Sequence, residues 1–595
     1  MTIKGIILPL VAASVAAHPS AFAQDYRSID GTGNNLTNTN LGSTGTELER
    51  KAAANYADGI GSVDGSRPNA RDISNTIFNQ PSTVQDNRGL SEWNWVWGQF
   101  VDHDIDHTLT DSGAGSLSTT VPTDDPYFGD LSPNNVINMT RSEYSPTSGT
   151  GIGDPRNQIN NITPWLDGSN VYGGRATDGP GGVDRSTWLR ANDGSGKLKV
   201  SDGGVVGDLL PEYVHGTSPV MANTGMPGMT VTTNGDQAFV AGDVRANEHT
   251  ALLTTHTVFV REHNRLADII KAENPALTDE QIYQKARKIV GSEIQAITYN
   301  EYLPSLGVNL SAYSGYNASA DPTIMAEFSG AAFRLGHSQI NGTMLRLNPD
   351  GSVITEGNLS LAEAFFNPQL VFEGGLEPLI RGLAAQTQEA TDGKIVGELR
   401  NQLFQAFIPG VGLVDGATDL ASINIMRGRD HGLGFYNDVR TAFGLTAAGD
   451  FSDVTSDVGL QAALATIYGD VDDMDLWVGM LVEDQMSGAS LSETTATIIS
   501  AQFSAIRDAD RFWFGNDLGG INSDLMEVAQ WNGDSDTSAY DWLTGLSLSD
   551  VLELNTGVTG LQENIFFASS APVPEPSTAA FLAAALAVCG LRRRP

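Results

Sequence analysis

The sequence is short of cysteine, of positive charge and of long apolar runs. A single cysteine, Cys589, stands among 595 residues, which excludes an internal disulfide and any cysteine-based zinc or iron–sulfur site. Lys and Arg number 34 against 71 Asp and Glu, a formal net charge of −37. That balance excludes nucleic acid as a natural partner, because phosphate contacts need clustered cations. It disfavours docking on an anionic membrane surface for the same reason. No apolar run comfortably reaches the ~20 residues of a spanning helix. Between about residues 25 and 560 there is no repeat and no low-complexity linker. Strand-like alternation is scarce, and residues 229–233 are its best, weak example. What is present is 40% hydrophobic and 8% aromatic residues, enough for a large buried core.

Both ends read as processing segments. Residues 1–23 carry Lys4, an apolar stretch over 5–17 and the small-residue pattern Ala21-Phe22-Ala23. This is the layout of a secretory signal peptide cleaved before Gln24; a membrane anchor is the alternative, and the stretch is short for one. The tail joins Val573-Pro574-Glu575-Pro576, an apolar run over 579–591 and Arg592 to Arg594. It resembles the bacterial PEP-CTERM sorting tails, which an exosortase-type membrane protease recognises and removes. The expected product is exported, extracellular or held at the cell surface, with no stable membrane span. Residues 24–565 would form its body and 566–595 a linker and tail, and Cys589 would leave with the tail.

Between the ends, helical spacing dominates. Leu252, Leu253, His256, Phe259, Val260 and Leu266 recur at intervals of three and four, predicting a buried helix over 249–271. Further helices are expected over 279–304, 360–369, 395–408, 457–467 and 492–507. The fold class is therefore mainly α: one large domain with long loops and little β structure.

Five clusters could carry chemistry. Trp97 to His107 packs Asp102, His103, Asp104 and Asp106 beside three tryptophans, and a helix would align Gln99, His103 and His107 on one face. Burying such acids costs free energy unless they find a cation or a covalent partner. A solvated helix end is the plain alternative, and His103 with His107 also matches zinc-ligand spacing. The second cluster, residues 243–249, sets Arg245 and Glu248 on one side, as an ordinary charged first turn also would. The third is His337 in the apolar run 333–337, and a lone histidine is more often a core residue than a ligand. The fourth, 424–432, puts Asn424 and Arg427 on one face before Gly432 and Gly434 break the helix. In the fifth, Thr163, Asp167 and Ser169 recur at even spacing. Their hard oxygens, with the Trp165 carbonyl, suit calcium, although loop residues of this kind commonly just cap turns.

Taken together the clusters resemble the animal-type haem peroxidases, the peroxidase–cyclooxygenase superfamily, in a bacterial peroxidasin-like version. The likeness runs from Tyr26 to Phe514 through the motifs WGQFVDHDID (97–106), REHNRLA (261–267), FRLGH (333–337) and RGRDHG (427–432). It implies a haem b derivative, Ca2+, hydrogen peroxide and small electron donors: a peroxidase oxidising halide, thiocyanate or phenols through a ferryl intermediate. By the resemblance His103 is the distal acid/base, Gln99 lines its pocket and Arg245 stabilises the breaking O–O bond. His337 is the proximal iron ligand, Asn424 bonds its other ring nitrogen, and Arg334 and Arg427 pair with haem propionates. Asp102 and Glu248 match the carboxylates ester-linked to haem. Asp104, Thr163, Trp165, Asp167 and Ser169 match the calcium site. His107, His215, His256, His263 and His431 are read as structural.

Three departures from the family pattern matter. His249 stands where some mammalian members have a methionine bonded to haem, so that link should be absent. The animal disulfides are missing. Arg334 occupies the place where fatty-acid dioxygenases carry a radical-forming tyrosine, which disfavours that activity. A non-catalytic, calcium-binding surface protein is the alternative from another class, resting only on tail and charge.

Overall fold

A computed structural model describes residues 26–128, 136–174, 180–214, 216–222, 238–401, 406–408, 412–414, 418–516 and 539–569. The expected signal peptide, nearly all of the tail with Cys589, His215 and the strand candidate at 229–233 lie outside them.

Helices with apolar three-and-four spacing build the framework. Helix α1 (Ala70–Ile77) starts at the Asn69 cap and turns Ile73 and Ile77 inward. Its Arg71 is wholly buried, bridged at 2.7 Å to both Asp125 and Asp419. Helix α2 (Trp93–Ile105) is buried nearly all round, with Trp93, Trp97, Phe100 and Val101 solvent-free. Among the described residues β structure is confined to short two-stranded pairs and isolated bridges. The longest pairs β1 (Ser116–Thr120) antiparallel with β2 (Val136–Thr140), Ser116 opposite Thr140.

A four-residue helix, α3 (Ser169–Tyr172), follows a left-handed Gly168. The long α4 (Thr250–Glu273) is capped by His249, whose Nδ1 accepts the Leu252 N–H. Helix α5 (Asp279–Ile297) opens on a Thr278/Gln281 capping box with two acids in its first turn, both favourable at a helix N-terminus. It packs against α4, as does α2, with Phe100 stacked on Phe259 at 5.0 Å. Beyond α5 the backbone widens into a π turn (Thr298–Tyr302) before α6 (Leu303–Leu306). Gly307 ends this run at φ +91°, where a Cβ would lie 2.4 Å from that of Ala489. Next come a 3-10 turn (Ala332–Leu335), α7 (Gly336–Gln339), α8 (Leu420–Asp430), α9 (Val458–Tyr468) and α10 (Glu493–Ala509).

Four expectations need correction. Of the helix expected over 360–369 only Leu361–Ala364 forms, and a separate short helix, Leu370–Gly374, begins just beyond it. Phe366 lies at φ +51°, and Pro368 disfavours helix at the residue before it. Over 395–408 only Gly397–Asn401 is helical, and Ala406–Ile408 pairs as a strand with Gly412–Val414. Helix α2 stops at Ile105 with Asp106 extended, so His107 leaves the face of Gln99 and His103, which removes the basis for a helical zinc pair. His337 sits in a short helix behind a 3-10 turn, not in one apolar helix.

Glu92, immediately before α2, is wholly buried and accepts from the Asn341 backbone and side-chain amides at 3.3 and 2.6 Å. Burial pushes its carboxyl up to about 8, against 4.5 ordinarily. The folded state thus holds this proton more tightly than the unfolded one. Its contribution is present below pH 4.5 and is lost as pH rises through 8. Glu92→Gln should therefore flatten the fall in melting temperature between pH 6 and pH 9, and an unchanged slope would contradict this assignment.

Candidate active site

Residues from three stretches of chain converge on one cavity of about 280 Å³. The one-turn spacing of Gln99 and His103 on α2, with Asp102 between, brings all three to its wall beside Trp95. The turn before α4 adds Arg245, Glu248 and His249, tightened by the Glu248 N–H donating to the Arg245 carbonyl at 2.8 Å. The 3-10 turn and α7 add Arg334 and His337. Nearly all the residues assigned above to haem and peroxide chemistry thus meet in one place. Asn424 and Arg427 stand behind the wall.

Arg245 is held from several sides. Its Nε and Nη2 donate to Asp243 at 2.9 and 3.0 Å, its Nη2 also donates to the Asp106 carbonyl at 3.0 Å, and Asp102 is 3.6 Å away. Asp243 lies 3.6 Å from Nδ1 of His103, too far for a hydrogen bond, and that nitrogen has no partner. Burial alone would raise the Asp243 carboxyl, but the charged Arg245 outweighs it and holds it well below the ordinary range. Burial, then Arg245, lowers His103 well below an ordinary histidine. The ring is therefore neutral at neutral pH, beside a permanently charged guanidinium.

Gln99 links two further groups: its amide donates to Glu248 at 2.7 Å, and its carbonyl accepts from His249 Nε2 at 2.6 Å. Burial pushes Glu248 up to about 7. Burial, with Asp106 adding to it, does the same to Asp102.

On the other element His337 engages Asn424 through Nδ1 at 2.7 Å. Burial, then Arg334, lowers the ring to about 3. Arg334 donates to the Ser329 carbonyl at 2.8 Å and to Asn424 Oδ1 at 3.3 Å. Arg427 donates to Ser142 at 2.7 Å and pairs with Asp430 at 3.0 Å.

Directly behind His103, Asp104 is buried and accepts the backbone N–H groups of Asp167, Gly168 and Asn170 at 3.1, 3.1 and 3.3 Å. Thr163 donates to Asp167 at 3.2 Å, and Ser169 donates to the Asp104 carbonyl at 2.8 Å. Trp165 is 1% exposed. Burial, then Asp167, pushes Asp104 up to about 7. Among the described residues no three His, Cys, Asp or Glu gather as metal ligands. Two carboxylates with hydroxyl and carbonyl oxygens are nevertheless a donor set for a hard cation.

The residues fit a haem on chemical grounds. A histidine with one ring nitrogen engaged, an unpartnered nitrogen on a second histidine, and buried carboxyls beside arginines share the cavity region. Sequence reasoning missed Asp243, although Asp-x-Arg is legible as a turn in which Asp243 also accepts the Arg245 N–H at 2.7 Å. It also missed Tyr302, which lines the cavity. Its hydroxyl lies where a Cβ on Gly98 would come within 2.6 Å, so that glycine admits the phenol.

Comparison with known proteins agrees with this geometry. The family model described as animal haem peroxidase matches residues 26–566. Peroxinectin A of Dictyostelium discoideum is 32% identical over 558 residues, covering 91% of this chain and 96% of that protein. Peroxidasin of Drosophila melanogaster is 33% identical over 559 residues, 86% of this chain but only 35% of that protein. The chain thus spans about a third of peroxidasin. Among solved structures, peroxidase A from Dictyostelium discoideum superposes with a TM-score of 0.78 at 30% identity, over 91% of this chain and all of that one. A fatty acid alpha-dioxygenase from Oryza sativa reaches 0.68 at 21% identity, covering 89% and 84%, a likeness of fold.

Proposed function

The chain belongs to the animal haem peroxidase family, and from that premise we propose that it is an exported enzyme reducing hydrogen peroxide and oxidising halide, thiocyanate or small phenolic donors. The observation that carries the reading is one cavity walled by His103 with Arg245 and by His337 backed by Asn424. A bound haem supplies the redox-active iron. His337 would hold that iron through Nε2, which requires the proton on Nδ1. Asn424 must then offer Oδ1 to the ring, the reverse of the amide orientation that donates at 2.7 Å. The two orientations are nearly isosteric.

Neutral His103 takes the proton from peroxide and returns it to the departing oxygen. Arg245, oriented by Asp243, stabilises the negative charge that develops there. Asp102 and Glu248 are the carboxyls that would carry ester links to a bound haem, and burial already pushes both towards the uncharged form that such a site tolerates. Arg334 and Arg427 would pair with the propionates of a bound haem, with Arg427 shared with Asp430. Asp104, Thr163, Trp165, Asp167 and Ser169 would hold calcium, which would stiffen the residue next to His103. A signal peptide and a sorting tail cut by an exosortase-type protease deliver the enzyme outside the cell.

A stopped-flow screen of chloride, bromide, iodide, thiocyanate and phenols after peroxide addition tests the reaction. Absence of turnover with every donor would refute it. The ester links predict that acid–acetone leaves the Soret band with the protein. Asp102→Asn with Glu248→Gln should release haem wholly into the solvent, and complete extraction from the wild type would remove the assignment.

A further inference from the structure

Outside the cavity, a group of buried titratable side chains lies where α3, α4 and α5 meet. Tyr172 is wholly buried, and its hydroxyl stands 3.0 Å from Nδ1 of His263. The other ring nitrogen is 2.9 Å from the Gly196 carbonyl, which can only accept. Nε2 therefore carries the proton, and Nδ1 presents a lone pair to the phenol. Tyr283 packs against both rings, with centroids at 5.9 and 5.4 Å. Arg287 lies over Tyr172 at 5.8 Å and Arg190 over Tyr283 at 4.1 Å. Packing alone does not explain the pair, since apolar side chains would fill this space without desolvating two polar groups.

We propose that Tyr172 and His263 form a redox site that stores an oxidising equivalent away from the haem cavity. The proposal rests on the peroxidase reading. One electron passes from Tyr172 to the peroxide-oxidised haem, which is thereby reduced by one electron. As it leaves, the phenolic O–H bond breaks and its proton bonds to His263 Nδ1, giving a neutral tyrosyl radical and an imidazolium. A one-electron donor with the returning proton restores both. The base singles out this tyrosine. Tyr302 reaches the cavity, but among the described residues no base is hydrogen-bonded to its hydroxyl. Tyr468 donates to Asp475 at 3.0 Å, yet that carboxylate is already paired with Arg67 and Arg429 at 2.6 and 2.8 Å. A short bonded route leads inward from Tyr172 to Asn170. The Asn170 side-chain amide donates to the Phe100 carbonyl at 2.6 Å, two residues before Asp102.

Rapid-freeze electron paramagnetic resonance of the holoenzyme, mixed with stoichiometric peroxide and no donor, tests the proposal. The wild type should show a tyrosyl signal. Tyr172→Phe should lose most of it while the Soret response to peroxide stays unchanged. His263→Gln, which keeps the phenol and removes the base, should slow its appearance, as should deuterated solvent. An undiminished signal in Tyr172→Phe, or loss confined to Tyr302→Phe, would overturn the proposal. If Tyr172→Phe disturbed the fold, an unaltered rate in His263→Gln would overturn it independently. A wild-type Soret band indifferent to peroxide would remove the peroxidase reading and this site with it.

Discussion

His337→Ala should give a protein that folds but retains no Soret band after gel filtration. The imidazole is the only group on its element with a ring nitrogen available to a metal. Its Nδ1 partner, the Asn424 amide, stands 2.7 Å away. Such an outer partner orients the ring and tunes its basicity, so the site is built around this one side chain. Burial and Arg334 lower the ring to about 3, which keeps it unprotonated, as a ligand must be. Truncation leaves the cavity and its arginines in place, so circular dichroism should remain that of the wild type. A variant that kept stoichiometric haem with an unshifted Soret maximum would refute the assignment.

His103→Ala should show the opposite pattern: haem retained and peroxide reactivity lost. A positioned acid/base contributes roughly 10²- to 10⁴-fold, and the bimolecular rate with peroxide should fall by that order. The pH profile gives a second reading. Burial and Arg245 hold the His103 ring well below the usual 6.5, so the base stays unprotonated as pH falls from 8 through 6.5. The rate should be flat across that window and decline only at more acidic pH. A midpoint at or above 6.5, or an alanine variant that reacts at the wild-type rate, would show that the proton moves elsewhere.

Much of this site was legible because its chemistry lies in local spacing. Gln99, Asp102 and His103 are placed by one helix, and the bulky Trp93, Trp97 and Phe100 around them allow it no other environment than the core. What spacing could not show depends on long-range contact. The helix expected over 395–408 gives way to a strand pair, because short apolar runs suit either state until a neighbour decides. His107 shares the three-and-four register of α2, yet the chain turns extended at Asp106. Asp243 is an ordinary acid in sequence and becomes the anchor of Arg245 only in three dimensions. Tyr302 enters the cavity through a π turn and a missing Cβ at Gly98, neither of which leaves a periodic trace.

One consequence follows from the three adjacent residues Asp102, His103 and Asp104 on α2. Two line the cavity, and the third is bound into the Thr163–Ser169 loop behind it. An α-helix turns roughly 100° per residue, so inserting or deleting one residue ahead of them would move every side chain to its neighbour's position. Variation in this stretch is therefore open to substitution and closed to change of length.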